Sequence, residues 1–154
     1  MAVSKKTNID PRFAAYALRV KKSRISRRGV FALEPIPRKK RVIEYIGEKI
    51  RLQEAHRRFF VDMGEGGSKR SYLFRLNRGW VIDCAVGGSG AQFINHSCDP
   101  NLEACPDNGQ ILFRSIRKIR KGDELTLDYY FEADSYDSPC RCGSPKCRGR
   151  MNRA

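Results

Sequence analysis

The chain has 154 residues, a typical length for one domain with a substantial buried core. Hydrophobic residues make up 40% of it and charged residues 31%, so the composition excludes a fully disordered chain, and no apolar run is long enough for a membrane-spanning helix. The formal net charge is +14, of which residues 1–58 carry +12 (17 basic against 5 acidic residues), so a polyanionic partner and a merely solvated basic face are both open explanations.

The pattern along the chain is that of a mostly β domain. Residues 1–16 form a basic N-terminal lead-in, and Leu18 and Val20 then alternate with basic residues as in a half-buried strand. One amphipathic helix is predicted over residues 52–61, and the glycine-rich residues 63–68 end it. Further strands are predicted at residues 30–33, 42–46, 71–76, 80–83, 110–116 and 124–130.

Three of the six cysteines, Cys140, Cys142 and Cys147, lie within eight residues of one another. Because no apolar secretory signal follows the N-terminus, we expect a soluble intracellular protein with reduced thiols. Closely spaced thiols in such a compartment are typical metal ligands, whereas a disulfide between Cys140 and Cys142 is geometrically poor. The cluster therefore predicts a metal site, for which a structural zinc would need a fourth ligand.

Five segments stand out in chain order: residues 23–32 (SRISRRGVFA), 44–48 (EYIGE), 93–101 (FINHSCDPN), 124–129 (ELTLDY) and 140–147 (CRCGSPKC). Together they resemble the SET domain of protein-lysine methyltransferases. The segment FINHSCDPN is specific by itself, and the ordered set leaves little room for coincidence. The resemblance extends over about residues 17–149.

The resemblance implies a particular architecture. It implies a SET-domain fold of small β-sheets with a C-terminal pseudoknot and few short helices over residues 17–131. Residues 51–80 would form a variable insert within this domain. Residues 132–154 would form a zinc-bound post-SET segment, and the resemblance implies that Cys98 supplies the fourth ligand beside Cys140, Cys142 and Cys147.

The resemblance also implies methyl transfer from S-adenosylmethionine to a lysine side chain. Asn95 is expected at the amino-acid end of this cofactor, because its amide offers both a donor and an acceptor, and His96 at the adenosine end. The alternative is that these two side chains only satisfy a buried turn. The residues that the resemblance assigns to the cofactor are Arg28, Gly29, Val30, Tyr72, Asn95, His96 and Tyr129.

Tyr129 and Tyr45 are the expected catalytic residues. By resemblance, the hydroxyl of Tyr129 points at the reacting methyl and amine, and Tyr45 helps to orient the amine; core packing is the alternative for each. Leu127 is expected in the substrate channel with Tyr45, at a position where relatives carry Phe or Tyr. A hydroxyl there tends to limit repeated methylation, so its absence predicts di- or trimethylation.

Three departures from the family pattern allow a second interpretation. Arg27 replaces the first glycine of a Gly-x-Gly turn, Gln92 stands where an arginine is frequent, and Leu127 lacks the aromatic ring. A catalytically decayed chromatin or nucleic-acid binding module could carry such changes. Asn95, His96, Tyr45 and Tyr129 are nevertheless all present, which favours the enzyme.

The expected substrate is a basic protein, such as a histone tail or another basic DNA-binding protein. Residues 122–139 hold six acidic residues and no basic one, so they predict an acidic lip beside the lysine channel, although a solvated loop has the same composition. The basic N-terminal half adds a possible non-specific contact with nucleic acid. If the protein is eukaryotic, we expect it at chromatin; if it is bacterial, we expect it in the cytoplasm or in the nucleus of a host cell. The oligomeric state stays open.

Overall fold

The computed structural model describes residues 8–62, 72–131, 133 and 137–153. Short strands dominate these residues, which confirms the mostly β fold predicted from the sequence. The elements are β1 (Leu18–Lys22), β2 (Arg28–Ala32), β3 (Arg41–Glu44), β4 (Glu48–Arg51), α1 (Leu52–Asp62), β5 (Leu73–Arg75), β6 (Trp80–Asp83), a 3-10 turn (Ala91–Phe93), β7 (Asn95–His96), β8 (Leu102–Asp107), β9 (Gln110–Ser115) and β10 (Glu124–Leu127).

Two sheets are formed by these strands. The larger has the order β1-β2-β10-β8-β9-β3, with β7 paired to β10 outside this path, and the smaller has the order β4-β6-β5. Helix α1 packs Ala55 against Ile50 and Val81 of the smaller sheet. The residues predicted as a variable insert thus carry α1 and parts of the smaller sheet.

Strand β10 is the centre of the larger sheet. It pairs antiparallel with β2 through Glu124 and Leu125, and parallel with β7 through Thr126 and Leu127. Leu127 also pairs with Leu102 of β8. The two most specific sequence segments contain β7 and β10, so this pairing brings them side by side.

Apolar residues of all the major strands fill the core between these elements. Burial does not follow strict alternation, since in β9 Ile111, Leu112 and Phe113 are buried in succession and Arg114 is exposed. The fully buried apolar residues include Val30, Ile36, Val42, Ile43, Leu102, Ile111, Phe113, Ile119 and Leu125.

Most predicted elements are confirmed, and three strands were missed. The helix predicted over 52–61 is α1, and the strand predicted at 80–83 is β6. Strand β4 has a single apolar residue, β7 has two residues and β8 contains a proline, so none shows the alternation that predicts a strand. The glycine-rich residues 63–68 and residue 71 lie outside the described residues.

Arg58 fixes α1 over the smaller sheet. Its Nη1 donates to Glu48 at 2.9 Å and to Asp83 at 2.8 Å, and its Nε donates to Glu54 at 2.9 Å. These bonds raise the pKa of Arg58 and keep it charged.

Neither described helix is long and apolar enough to cross a membrane.

The part of the N-terminal lead-in that the structure describes is packed against the domain. Ile9, Ala14 and Tyr16 contact the main core. The backbone N–H of Asp10 donates to the carbonyl of Ser89 at 2.8 Å. Residues 8–16 therefore share the core of the domain.

Candidate active site and metal cluster

A cavity of about 540 Å³ opens among β5, the 3-10 turn, β7, the end of β10 and the C-terminal segment. This volume lies in the range of pockets that enclose small organic ligands. Aromatic rings form much of its wall, among them Phe74, Phe93, Phe113 and Phe131. Six sequence-predicted site residues line it together: Tyr45, Tyr72, Asn95, His96, Leu127 and Tyr129.

The turn before β2 contributes different residues from those predicted. Ile25 and Ser26 line the cavity, whereas Arg28, Gly29 and Val30 are not part of its wall. Arg28 acts on the site through its backbone, because its carbonyl accepts a hydrogen bond from Nδ2 of Asn95 at 2.7 Å.

Tyr129 follows β10 and faces the cavity. Its hydroxyl donates to the carbonyl of Ile94 at 2.6 Å, so toward any further group the oxygen can only accept a hydrogen bond. The ring packs against His96, with centroids 5.3 Å apart. Tyr130 has left-handed backbone (φ 52) and is 58% exposed, so two adjacent tyrosines lie in opposite environments.

Tyr45 stands deeper in the cavity wall. Its hydroxyl donates to the carbonyl of Tyr72 at 2.6 Å, which leaves its oxygen, like that of Tyr129, as an acceptor. Burial, reinforced by the neighbouring Cys84 and Tyr129, holds the pKa of Tyr45 well above its ordinary value. The hydroxyl therefore stays protonated at physiological pH.

The amide of Asn95 is held by a small polar cluster beneath the cavity. Its Nδ2 donates to Oε1 of Glu124 at 2.8 Å as well as to Arg28. Ser23 donates its hydroxyl to the same carboxylate at 2.8 Å. A side chain at Gly29 would overlap the carboxylate of Glu124, so the glycine is needed here for close packing within the protein.

His96 links the residues that follow β10 to the cysteine cluster. Its Nδ1 accepts a hydrogen bond from the backbone N–H of Tyr129 at 3.0 Å, which assigns the ring proton to Nε2. Nε2 lies 3.5 Å from Sγ of Cys98. Burial lowers the pKa of His96, so the ring is neutral, and both its nitrogens have protein partners.

Four cysteines converge beside the cavity, and their geometry fits a tetrahedral metal ion. The sulfur atoms of Cys98, Cys140, Cys142 and Cys147 all lie within 4.8 Å of one another, and those of Cys98 and Cys140 are 3.7 Å apart. Four sulfurs bound at about 2.3 Å to a tetrahedral zinc stand about 3.8 Å apart. The set that the resemblance implies is thus brought together, and it could hold a metal.

Arg148 forms a second link between the C-terminal segment and β10. Its Nη1 and Nη2 donate to the two carboxylate oxygens of Asp128 at 2.8 and 3.2 Å, and Nη2 also donates to the carbonyl of Met151 at 3.1 Å. Burial alone would raise the pKa of Asp128. The hydrogen bonds from Arg148 and from the N–H of Tyr130 outweigh burial and lower that pKa.

The acidic lip predicted at residues 122–139 is only partly within the described residues, because Glu132 and Asp134 lie outside them. Glu124 is turned inward to Ser23, and Asp128 is buried under Arg148. Asp137 is exposed and paired with Arg150 at 3.2 Å. Two of the six carboxylates thus face other groups of the protein, and the lip as a whole stays a prediction.

Two departures from the family pattern have simple structural accounts. Arg27 does not have a positive φ, so the missing glycine causes no backbone strain there. Oε1 of Gln92 accepts hydrogen bonds from the N–H of Gly90 at 2.9 Å and from the thiol of Cys84 at 3.2 Å. Gln92 itself lines the cavity.

Sequence reasoning missed several residues of the cavity wall. Ile25 and Ser26 lie inside the segment 23–32 that resembles the SET domain, and this position could have indicated that they line the cavity. Phe131, Arg141 and Met151 also line the cavity. Phe131 follows β10 closely, and Arg141 and Met151 belong to the C-terminal segment, whose sequence carries no periodic signal.

Comparison with known proteins agrees with this geometry. A family model described as SET domain matches residues 27–130. The chain belongs to the SET-domain family. It is 40% identical over 140 residues to "Histone-lysine N-methyltransferase, H3 lysine-4 specific" of Eremothecium gossypii, which covers 85% of this chain. It is 43% identical over 136 residues to the protein of the same name of Schizosaccharomyces pombe, covering 84% of this chain.

A vertebrate relative with a SET domain matches over a longer stretch. The chain is 37% identical over 147 residues, 92% of its length, to human "Histone-lysine N-methyltransferase SETD1B". The match spans 14% of each of the two fungal relatives and 7% of the human one, so this SET chain corresponds to a small part of each.

The Arg148–Asp128 pair should stabilise the domain. We expect Arg148→Gln to lower the free energy of unfolding by about 1–3 kcal/mol, because it leaves a buried carboxylate without its charged partner. Urea unfolding followed by the fluorescence of Trp80 measures this. Arg150→Gln is the matched control, since Arg150 pairs with the exposed Asp137 and should behave like the wild type. Equal unfolding midpoints for the two variants would contradict a role for the pair.

Proposed function

We propose that this SET-domain protein is a protein-lysine N-methyltransferase that uses S-adenosylmethionine. The observation that carries the proposal is the convergence of Tyr45, Tyr129, Asn95 and His96 on one cavity, with both tyrosine hydroxyls fixed by backbone carbonyls. The names of the relatives support the same activity. A decayed module has no reason to keep this arrangement intact.

The cavity residues suit the binding of a lysine amine. An aromatic and aliphatic wall disfavours the ammonium form by desolvation, which lowers the pKa of an entering lysine toward the reactive neutral amine. The oxygens of Tyr45 and Tyr129 can each accept an N–H hydrogen bond and so orient the nitrogen lone pair. Since methyl transfer to an amine moves a positive charge without creating one, positioning is the main contribution expected from the protein.

The cofactor would occupy the part of the cavity lined by Ile25, Ser26, Tyr72 and β7. When bound, S-adenosylmethionine supplies an electrophilic methyl group. Nδ2 of Asn95 is held by Arg28 and Glu124, so its Oδ1 is the atom available to a ligand ammonium. Because both ring nitrogens of His96 have protein partners, we assign this residue to the cavity wall through its ring edge and backbone.

The four-cysteine cluster would hold one structural zinc ion. Cys140 belongs to the cluster and also lines the cavity. Its neighbours Pro139 and Arg141 line the cavity as well. Such an ion would fold the C-terminal segment over the site and complete its wall. In domain terms, residues 17–131 would form the SET domain and residues 132–154 the post-SET segment.

The proposed substrate is a histone tail, with lysine 4 of histone H3 as the first candidate from the names of the fungal relatives. The corresponding location is chromatin. Glu124 and Asp128 of the expected lip are turned inward, so these two carboxylates would not contact the basic tail.

Tyr129→Phe tests the proposed catalytic site. Removing the hydroxyl should lower kcat by on the order of 10²-fold while S-adenosylmethionine still binds, because the variant loses positioning of the amine. The measurement is transfer of labelled methyl to core histones, with calorimetric binding of the cofactor as a second readout.

Tyr130→Phe is the control for this experiment and should keep wild-type activity, since its ring is exposed. A Tyr129→Phe variant with nearly full activity would remove Tyr129 from the mechanism. Cofactor binding by the wild type without methylation of any histone would redirect the search to other basic proteins, and no cofactor binding would overturn the proposal.

One zinc per chain is the expected metal content of the purified protein. Cys98→Ser should lose the metal and most of the activity, because the C-terminal segment no longer closes the cavity. Cys105→Ser, outside the cluster, should keep both. Elemental analysis by mass spectrometry together with the methyl-transfer assay checks this; full metal content in Cys98→Ser would disprove the assignment.

Leu127 should allow more than one methyl group to be added. It lines the cavity without a hydroxyl, so no bound water is held there to crowd a methylated amine. We expect the wild type and Leu127→Phe to give di- or trimethyllysine, and Leu127→Tyr to stop mainly at monomethyllysine. Mass spectrometry of a histone H3 peptide after long reaction times measures the product. Only monomethyl product from the wild type would refute the prediction.

A further inference from the structure

Two basic segments that are far apart in sequence lie side by side on the larger sheet. Ile36 and Ile119 exchange backbone hydrogen bonds of 2.9 Å, and Arg41 is the cross-strand partner of Arg114. The facing segments carry nine basic residues, which we call the basic ridge: Arg38, Lys39, Lys40, Arg41, Arg114, Arg117, Lys118, Arg120 and Lys121.

The backbone beneath the basic ridge is fixed. Ser115 is fully buried, donates its hydroxyl to the carbonyl of Pro37 at 2.6 Å, and accepts from the N–H of Lys40 at 2.9 Å. The N–H of Lys39, a residue with left-handed backbone (φ 62), donates to the carbonyl of Ser115 at 2.8 Å. The charges are therefore presented by a preorganised turn.

Most of the ridge charge has no counter-ion among the described residues. Three of the nine form ion pairs: Arg114 with Glu103, Arg117 with Asp99 and Arg120 with Asp123. The remaining six are Arg38, Lys39, Lys40, Arg41, Lys118 and Lys121, and all are exposed.

Such an arrangement has an energetic cost for the free protein. Like charges held close together without counter-ions, as along Arg38–Arg41, repel one another. A polyanion bound along the ridge would relieve this repulsion and release its own counter-ions.

The position of the ridge keeps it apart from the cavity. In β9, Phe113 is buried and lines the cavity, whereas the next residue, Arg114, is exposed. No ridge residue lines the cavity. A ligand on the ridge would therefore leave the proposed lysine site open.

The chemistry of the ridge favours nucleic acid over a membrane or an acidic protein. Among the described residues, the exposed large apolar side chains are Leu33, Val86, Tyr130 and Phe131, and none belongs to the ridge. Membrane surfaces and the centres of protein interfaces are normally met by apolar groups as well as charge. Regularly spaced phosphates need only the cations.

We infer that the basic ridge binds the phosphate backbone of duplex nucleic acid without sequence preference. The test uses the whole chain and a labelled 30-base-pair duplex DNA of mixed sequence, with affinity measured by fluorescence anisotropy between 50 and 200 mM salt. Six phosphate contacts predict a slope of log affinity against log salt of about −5. The readout is binding alone, so its result is independent of whether methyl transfer is found.

The ridge variant carries Lys39→Asn, Lys40→Gln, Arg41→Gln and Lys118→Gln, with asparagine at 39 because it tolerates left-handed backbone. Its slope should fall to about −2, and its affinity by more than tenfold at low salt. Near-ultraviolet circular dichroism confirms that the variant is folded.

The matched control removes the same charge from the β1–β2 hairpin, another exposed basic surface, and should keep the wild-type slope. Its substitutions are Arg19→Gln, Lys21→Gln, Lys22→Gln and Arg24→Gln.

Equal weakening of the two variants would mean that net charge alone attracts DNA, and would overturn the assignment to the ridge. A wild-type slope near zero would overturn it as well, as would tighter binding to phosphatidylserine vesicles than to the duplex. Methyl transfer to a free peptide should be unchanged in the ridge variant, since the cavity is untouched.

Discussion

The site depends on one pairing, the parallel contact of β10 with β7. This contact puts Tyr129, just after β10, against the ring of His96 in β7, and Glu124, at the start of β10, against the amide of Asn95. Neither strand could form it locally, because about thirty residues separate them. Displacing either strand would separate the tyrosine hydroxyl from the carbonyl of Ile94 that fixes it.

The C-terminal segment is attached to the same strands by two chemically different links. One is the cysteine cluster, which joins Cys98 to the three C-terminal thiols. The other is the ion pair between Arg148 and Asp128, which needs no metal. His96 lies between them, with one nitrogen toward Tyr129 and the other toward Cys98. The C-terminal wall of the cavity and the residues that follow β10 are therefore joined by direct contacts.

The resemblance to the SET domain singled out the two tyrosines, Asn95, His96 and the four cysteines, and the structure brings them to one cavity and one cluster. Local patterns alone said less about the strands. Strands β4, β7 and β8 were missed because tertiary pairing, and not alternation, makes them strands. Composition also does not tell whether a carboxylate points to solvent or to a partner within the protein, as the buried Asp128 does toward Arg148.

The cysteine cluster also has a consequence for the unfolded chain. Cys98 and Cys140 are 42 positions apart, and β10 lies inside the loop that they would close. For a covalent crosslink of this span, the loss of chain entropy in the denatured ensemble corresponds to about 4 kcal/mol. A metal ion that stayed bound during unfolding would act in the same way. It would confine the central strand near its partners and shorten the search for the one non-local pairing on which the site is built.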